Sequence, residues 1–182
     1  MELVTELKKN ILVARDQRMA KEKLLLNDFN TTVIVFSLNL PGGSIMTDPI
    51  MELHTYGMQQ LVASIAPYEK RVEHIEVSED SLGPIGYICL DLPWEKVKSI
   101  AIDIEERDMY GRLFDIDVIQ STGQHIGRRD LNHAPRQCFI CEEEATVCRR
   151  RGAHTPKELQ TYIGQLLQHF EDIMNLRYQR VN

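Results

Sequence analysis

Several hallmarks of specialised protein classes are missing from this sequence. No apolar run approaches the roughly 18 residues that span a bilayer, so no membrane partner is expected. Cysteine is scarce: four in 182 residues are too few for a disulfide scaffold, and a cytosolic, reduced setting is expected. The opening MELVTELKKN carries acidic residues and no apolar stretch, which predicts no secretory signal. There is no internal repeat, no low-complexity tract and no Pro/Ser-rich linker. Positive charge is in deficit, 21 Lys+Arg against 27 Asp+Glu for a net charge of −6, which argues against a nucleic-acid partner. Fibrous, membrane, disordered and disulfide-stapled classes are excluded on these grounds.

What is present is an ordinary globular composition, 43% hydrophobic and 26% charged, on a chain long enough to bury a core as one domain. Its parts are an N-terminal helical segment (1–27), an Arg/Cys-rich segment (107–154) and a C-terminal helix (155–178). Charge is unevenly distributed. Residues 107–151 contain no lysine but eight of the thirteen arginines: Arg107, Arg112, Arg128, Arg129, Arg136, Arg149, Arg150 and Arg151. The guanidinium fork suits bidentate contact with phosphate or carboxylate oxygens, so this stretch reads as an anion site for a small or carrier-bound polyanion, with a plain solvated surface as the alternative.

Hydrophobic patterning predicts the elements. Residues 31–40 (TTVIVFSLNL) are β-branched and aromatic, as in a buried strand. A helix capped by Thr47 or Asp48, with Pro49 in its first turn, is expected to about residue 66. Strands are expected over 71–77 and 85–90 with a loop over 78–84, and a helical turn over 92–97. In 99–106 Ile100, Ile102 and Ile104 alternate with polar residues, which favours a strand. A further strand over 112–120, a turn at Ser121-Thr122-Gly123 and a return strand over 124–128 follow. A short helix over 141–150 precedes the last helix, opened by Thr155, Pro156 and Glu158. The expected class is α+β (mixed α/β), a single domain with a central, mostly antiparallel sheet flanked by helices.

Within GRLFDIDVI (111–119), period-two geometry places Asp115 and Asp117 on one strand face, shared with Leu113, while Phe114, Ile116 and Val118 face the core. Two carboxylates so placed can converge on a hard divalent cation such as Mg²⁺, and beside arginines they suit transfer of a phosphate-linked group. Two solvated aspartates are the alternative. Asp103 or Glu105, read as lying on the preceding strand, are candidates for a third carboxylate. The Asp-x-Asp strand is similar to that of the nucleotidyltransferase superfamily, although the Gly-Ser or Gly-Gly pair usual about ten residues upstream is missing. Cys138, Cys141, Cys148 and His154 have spacing compatible with structural Zn²⁺. The favoured reading is instead buried thiols, with Cys141, Ala145 and Cys148 on one helix face; a redox pair is a third possibility. Cys89 is expected in the core. His54, His74 and His169 read as surface or helix-face residues, whereas His125 and His133 lie near the arginine segment in sequence and are minor candidates for touching phosphate.

GRLFDIDV (111–118), IGRRDL (126–131), RQCFICEEEATVCRRRGAH (136–154) and ARDQR (14–18), with the strand and Pro-Gly turn over 36–42, together carry a resemblance over almost the whole chain. The chain resembles the holo-citrate lyase synthase family, also called apo-citrate lyase phosphoribosyl-dephospho-CoA transferase. One departure is Pro41-Gly42-Gly43-Ser44-Ile45-Met46, where related sequences have Pro-Gly-Pro with a nearby lysine. The resemblance implies a single nucleotidyltransferase-like transferase domain. It implies the donor 2'-(5''-triphosphoribosyl)-3'-dephospho-CoA, a serine acceptor on the acyl-carrier (gamma) subunit of apo-citrate lyase, and release of diphosphate. On that view Asp115 and Asp117 hold Mg²⁺ and help deprotonate the serine. Arg112, Arg128, Arg129 and Arg136 hold the polyphosphate. Arg15 and Arg18 close the site from the N-terminal helix, with Asp16 orienting one of them, and Arg149, Arg150 and Arg151 meet the carrier. The rival readings are a zinc-stabilised module docking acidic partners, and the same transfer onto a malonate decarboxylase carrier.

Overall fold

In the computed structural model, which describes residues 2–40 and 47–181, the two strands apolar on both faces form the middle of the sheet. β1 (Thr32–Leu38) sends Ile34 and Phe36 to one side and Val33 and Val35 to the other. β3 (Gly83–Leu90) is buried throughout. β2 (Val72–Asp80) alternates in burial and lies outside β3. β4 (Phe114–Ile119) pairs with the other edge of β1, and the two-residue β5 (His125–Ile126) closes the order β2-β3-β1-β4-β5. All four pairings are antiparallel, so the expected α+β class holds.

Helices cover both faces. α2 (Asp48–Ile65), α3 (Trp94–Glu106) and α5 (Pro156–Val181) enclose the larger core around Phe36, Leu53, Ile88, Phe114 and Phe170. α1 (Glu2–Phe29) lays Leu25, Leu26 and Phe29 over Val33, Val35, Tyr87 and Ile119 on the opposite face. It stops where Asn30 takes a left-handed conformation (φ 51°) and its N–H returns to the Leu26 carbonyl. The Arg18–Asp80 and Lys21–Glu76 ion pairs and the Phe29–His74 stack tie α1 to β2. A reciprocal capping box between Thr155 and Glu158 opens α5, as its sequence predicts. Among the described residues, no helix is long and apolar enough to cross a membrane. The departure over 41–46 lies outside the described residues.

Four expectations are corrected. Residues 99–106 are not a strand but the second half of α3, because Val97, Ile100, Ala101 and Ile104 also fit an i, i+3, i+4, i+7 face, and that face meets the core. The loop expected over 78–84 is a tight hairpin joining β2 and β3. The return strand over 124–128 shrinks to His125–Ile126, and Arg128 starts a short 3-10 turn (Arg128–Leu131). The helix expected over 141–150 begins only at Ala145, as α4 (Ala145–Arg151).

His54 is also not a surface residue. It is buried on α2 against the Phe36 ring, and its Nε2 has no hydrogen-bond partner. Burial depresses its pKa to about 4, only partly opposed by a hydrogen bond to the Phe36 backbone. The unfolded chain takes up this proton near 6.5, so this contribution to stability is full above that pH and is lost as pH falls towards 4. At about 1.4 kcal/mol per pH unit, the loss of stability between pH 7.5 and 4.5 should be about 2–3 kcal/mol smaller in His54→Gln than in the wild type. Urea midpoints at the two pH values check this; equal losses in both proteins would contradict it.

Candidate active site

The site is built on the uncovered half of the β4 edge. β5 pairs only with Val118 and Ile119, so the outward backbone groups before them need other partners. Side chains supply these. Glu105 Oε1 accepts the Ile116 N–H at 3.2 Å, Lys98 Nζ donates to the Ile116 carbonyl at 3.2 Å, and Arg136 Nη1 donates to the Phe114 carbonyl at 2.9 Å. Lys98 and Glu105 are seven residues apart on α3, hence on one face of the helix, and both are buried.

Glu105 is the hub. At 2% exposure its carboxylate accepts Arg128 Nη2 at 2.6 Å and also bonds Arg136 Nη2. Arg128 bonds the more exposed Glu106 as well. Burial works against the charge of Arg128, but its bonds to Glu105 and Glu106 outweigh this and raise its pKa. Burial likewise lowers the pKa of Lys98, partly offset by the charges of Glu105 and Asp117. The Nε of Arg128 is buried without a partner.

Beside this hub lies a cavity of about 410 Å³ lined by Arg112, Arg128, Arg136, Glu105, Glu106, Asp108 and Phe139, among others. Asp108 accepts the N–H groups of Tyr110 and Gly111 at 2.8 and 2.9 Å and so holds the 3-10 turn Gly111–Leu113, which carries Arg112. A Cβ on Gly111 would lie 2.5 Å from the Ile104 carbonyl, so only glycine allows this turn to press against the end of α3. Arg112 reaches the Cys138 carbonyl and lies over the Phe139 ring, 5.4 Å from its centroid. Among the described residues it has no carboxylate partner, whereas Arg128 and Arg136 are paired with acids.

Asp115 and Asp117 point to the α1 side of the sheet, opposite Ser37 and Val35 of β1. They share one face as expected, but Leu113 does not join them; it is fully buried in the core cluster of the other face. Burial and the neighbouring Asp117 raise the pKa of Asp115 against the opposing charges of Arg136, Lys98 and Arg18. Arg136 lies 3.3 Å from Asp115 Oδ1, so one guanidinium touches both this aspartate and Glu105.

A further carboxylate near Asp117 is Glu22 of α1. Burial raises the pKa of Glu22 and Asp117 adds to this, while His125, 3.6 Å away, opposes it. Asp103 is exposed on α3, and Glu105 is committed to the arginines, so neither fills the role expected of it.

The other predicted residues divide clearly. Arg112, Arg128 and Arg136 line the cavity. Arg129 is exposed and pairs with Glu144 at 3.5 Å, away from them. Arg15 is exposed on α1. Arg18 is held by two bonds to Asp80, at 2.6 and 2.8 Å, so Asp80 rather than Asp16 orients it. His133 lies 3.9 Å from Glu106, and His169 bonds the Tyr110 hydroxyl at 2.7 Å. Arg149, Arg150 and Arg151 are exposed at the end of α4. Cys89 is core, its thiol pushed up to about 11 by burial.

Cys141 lies in the loop before α4, so Cys141, Ala145 and Cys148 do not share one helix face. Instead Cys138, Cys141, Cys148 and His154 bring their ligand atoms within 4.8 Å of one another. Among the described residues this is the one such group of three or more; the carboxylates near Asp115 are spread more widely.

The sequence matches the family described as apo-citrate lyase phosphoribosyl-dephospho-CoA transferase over residues 7–170, which includes most of α1, the whole sheet and the arginine segment. The chain belongs to this family. Proteins of that name from Shigella boydii serotype 18, Escherichia coli O157:H7 and Shigella sonnei are each 29% identical to it over 157 residues, covering 86% of this chain and 86% of each relative. The site thus lies within the part of the chain shared with the transferase family.

Sequence reasoning missed Lys98, Glu105 as an anchor, and Glu22. Lys98 and Glu105 interrupt an otherwise apolar helix face, a pattern visible once 94–106 is read with helical period. A buried carboxylate that loses its match to two cations leaves them uncompensated, at a cost of about 3–5 kcal/mol. Glu105→Gln should therefore destabilise the protein by that amount, whereas Asp103→Asn, on the exposed side of the same helix, should stay within about 0.5 kcal/mol of wild type. Chemical denaturation checks both, and a Glu105→Gln variant as stable as Asp103→Asn would contradict the hub.

Proposed function

We propose that this chain transfers the phosphoribosyl-dephospho-CoA group to apo-citrate lyase. The donor is 2'-(5''-triphosphoribosyl)-3'-dephospho-CoA, the acceptor is a serine hydroxyl of the acyl-carrier (gamma) subunit, and diphosphate is released in the cytoplasm. The observation that carries this reading is the position of Arg136, which touches both Asp115 and Glu105 and so joins the aspartate pair to the arginine-lined cavity.

The chemistry is of the nucleotidyl-transfer type. The serine oxygen forms a bond to the phosphorus nearest the ribose, the bond from that phosphorus to the diphosphate breaks, and the serine proton passes to a carboxylate. Asp115 suits that role: it lies beside Arg136 at the edge of the cavity, and burial and Asp117 raise its pKa above the ordinary carboxylate value. Arg112 offers an uncompensated guanidinium to the phosphates. Arg128 and Arg136 are already fixed in place, so they need little reorganisation as charge develops on the leaving diphosphate. The phosphates would displace the half-exposed Glu106 carboxylate from Arg128, and the unpartnered Nε of Arg128 offers a further donor.

Asp115 and Asp117 share one strand face and Glu22 lies near Asp117, so these residues offer hard oxygen donors of the type that Mg²⁺ takes, and they would hold it once drawn closer together. When bound, the cation supplies charge neutralisation at phosphate oxygens.

Intact-mass measurement of apo-carrier after incubation with donor and enzyme tests the reading. Wild type should add the prosthetic group, whereas Asp115→Asn and Asp117→Asn should slow the addition by about 10²-fold or more with unchanged thermal midpoints or higher ones. Near-normal transfer by either variant would remove the paired-carboxylate mechanism. Modification of a malonate decarboxylase carrier in preference to the citrate lyase carrier would change the acceptor.

A further inference from the structure

The thiol and imidazole cluster follows Arg136 along the same loop, and its side chains take no part in the transfer chemistry above. We propose that Cys138, Cys141, Cys148 and His154 hold one structural Zn²⁺. Cys138 Sγ lies 3.4 Å from Cys148 Sγ, and Cys141 Sγ lies 4.0 Å from Cys148 Sγ. A tetrahedral Zn²⁺ with Zn–S bonds of about 2.3 Å has edges of about 3.8 Å, so these separations bracket the required spacing. The fourth group points the same way. The Nε2 of His154 is buried and has no hydrogen-bond partner, which is costly unless something fills its lone pair.

The backbone is shaped for the same purpose. Cys138 and Cys141 frame a turn whose Ile140 and Cys141 N–H groups bond the Cys138 sulfur. A disulfide between Cys138 and Cys148 would satisfy two sulfurs and leave Cys141 and the His154 nitrogen unmatched. Zinc satisfies all four groups at once, with the three thiol protons released to solvent.

The position of the cluster says what the metal does. Cys138 N–H bonds the Glu143 carbonyl and Ala145 N–H bonds the Arg136 carbonyl, both at 2.8 Å, and the Cys138 carbonyl accepts Arg112. The metal therefore pins the loop that carries Arg136 and that holds Arg112 over Phe139. It is a clamp on the cavity wall, with all four protein ligands in place and no open position for chemistry.

The inference does not rest on the transfer reaction and is read without donor or carrier. The full-length protein, expressed with added zinc and dialysed, should contain about one zinc per chain by elemental mass spectrometry. Cys148→Ser and His154→Ala should each lose most of it, while Cys89→Ala, whose thiol lies in the sheet core, should keep it. Cobalt substituted for zinc should show thiolate-to-metal charge transfer and the intense visible bands of a tetrahedral site. Zinc content near zero in the folded wild type would overturn the proposal, as would retention of zinc in both ligand variants. A metal-free protein two mass units lighter, with Cys138 linked to Cys148, would assign the cluster to redox chemistry instead.

Discussion

The buried carboxylate of Glu105 is the constraint on which the rest of the site depends. A sheet edge with unpaired N–H and C=O groups needs a partner, and β5 is too short to provide one along all of β4. Glu105 and Lys98 of α3 take that place, which brings an acid and an amine into the interior. An ionised carboxylate at 2% exposure must be matched, and Arg128 and Arg136 match it. One packing requirement thus draws three distant segments, α3, β4 and the arginine loop, onto a single point. The cost of burying Glu105 is offset by the positioning of two guanidinium groups that would otherwise be mobile.

The charges of the cavity follow from this arrangement. Arg128 and Arg136 arrive compensated, so they are ordered rather than free. Arg112 is different: it is oriented by a carbonyl and an aromatic ring, and its charge is unmatched by any described carboxylate. In the proposed reaction it makes the first claim on a phosphate, and the paired arginines follow as Glu106 swings away. On the other side of Arg136, burial, with the charge of Asp117 added, raises the pKa of Asp115 and of Glu22. Positive charge there, whether from Arg136 or from a divalent cation, opposes both effects and favours the ionised carboxylates. The two halves of the site therefore share one guanidinium.

Features carried by local pattern were legible in the sequence. β1 shows in its β-branched run, the Asp115/Asp117 face in period-two spacing, and the opening of α5 in Thr155 and Glu158. What escaped depended on tertiary partners. The stretch 97–104 satisfied both a strand template, through Ile100, Ile102 and Ile104, and a helix template, through Val97, Ile100, Ala101 and Ile104, and the strand reading hid the placement of Lys98 and Glu105 on one helix face. Glu22 lies 95 residues before Asp117, and nothing local announces their proximity. The arginine cluster was visible as composition, but which members are bonded and which are free is set by folding. Arg129 points outward, and Arg18 is held by Asp80 of β2. His54 reads as polar in sequence and is buried because α2 packs it against Phe36.

The central claim is that the cavity beside Glu105 recognises polyphosphate through Arg112 and the two fixed arginines. Calorimetric titration of the protein with inorganic triphosphate tests it most directly. The wild type should bind saturably, and Arg112→Ala should bind about tenfold or more weakly, the loss of one charge-assisted contact. No binding by the wild type, or equal binding by Arg112→Ala, would contradict the account.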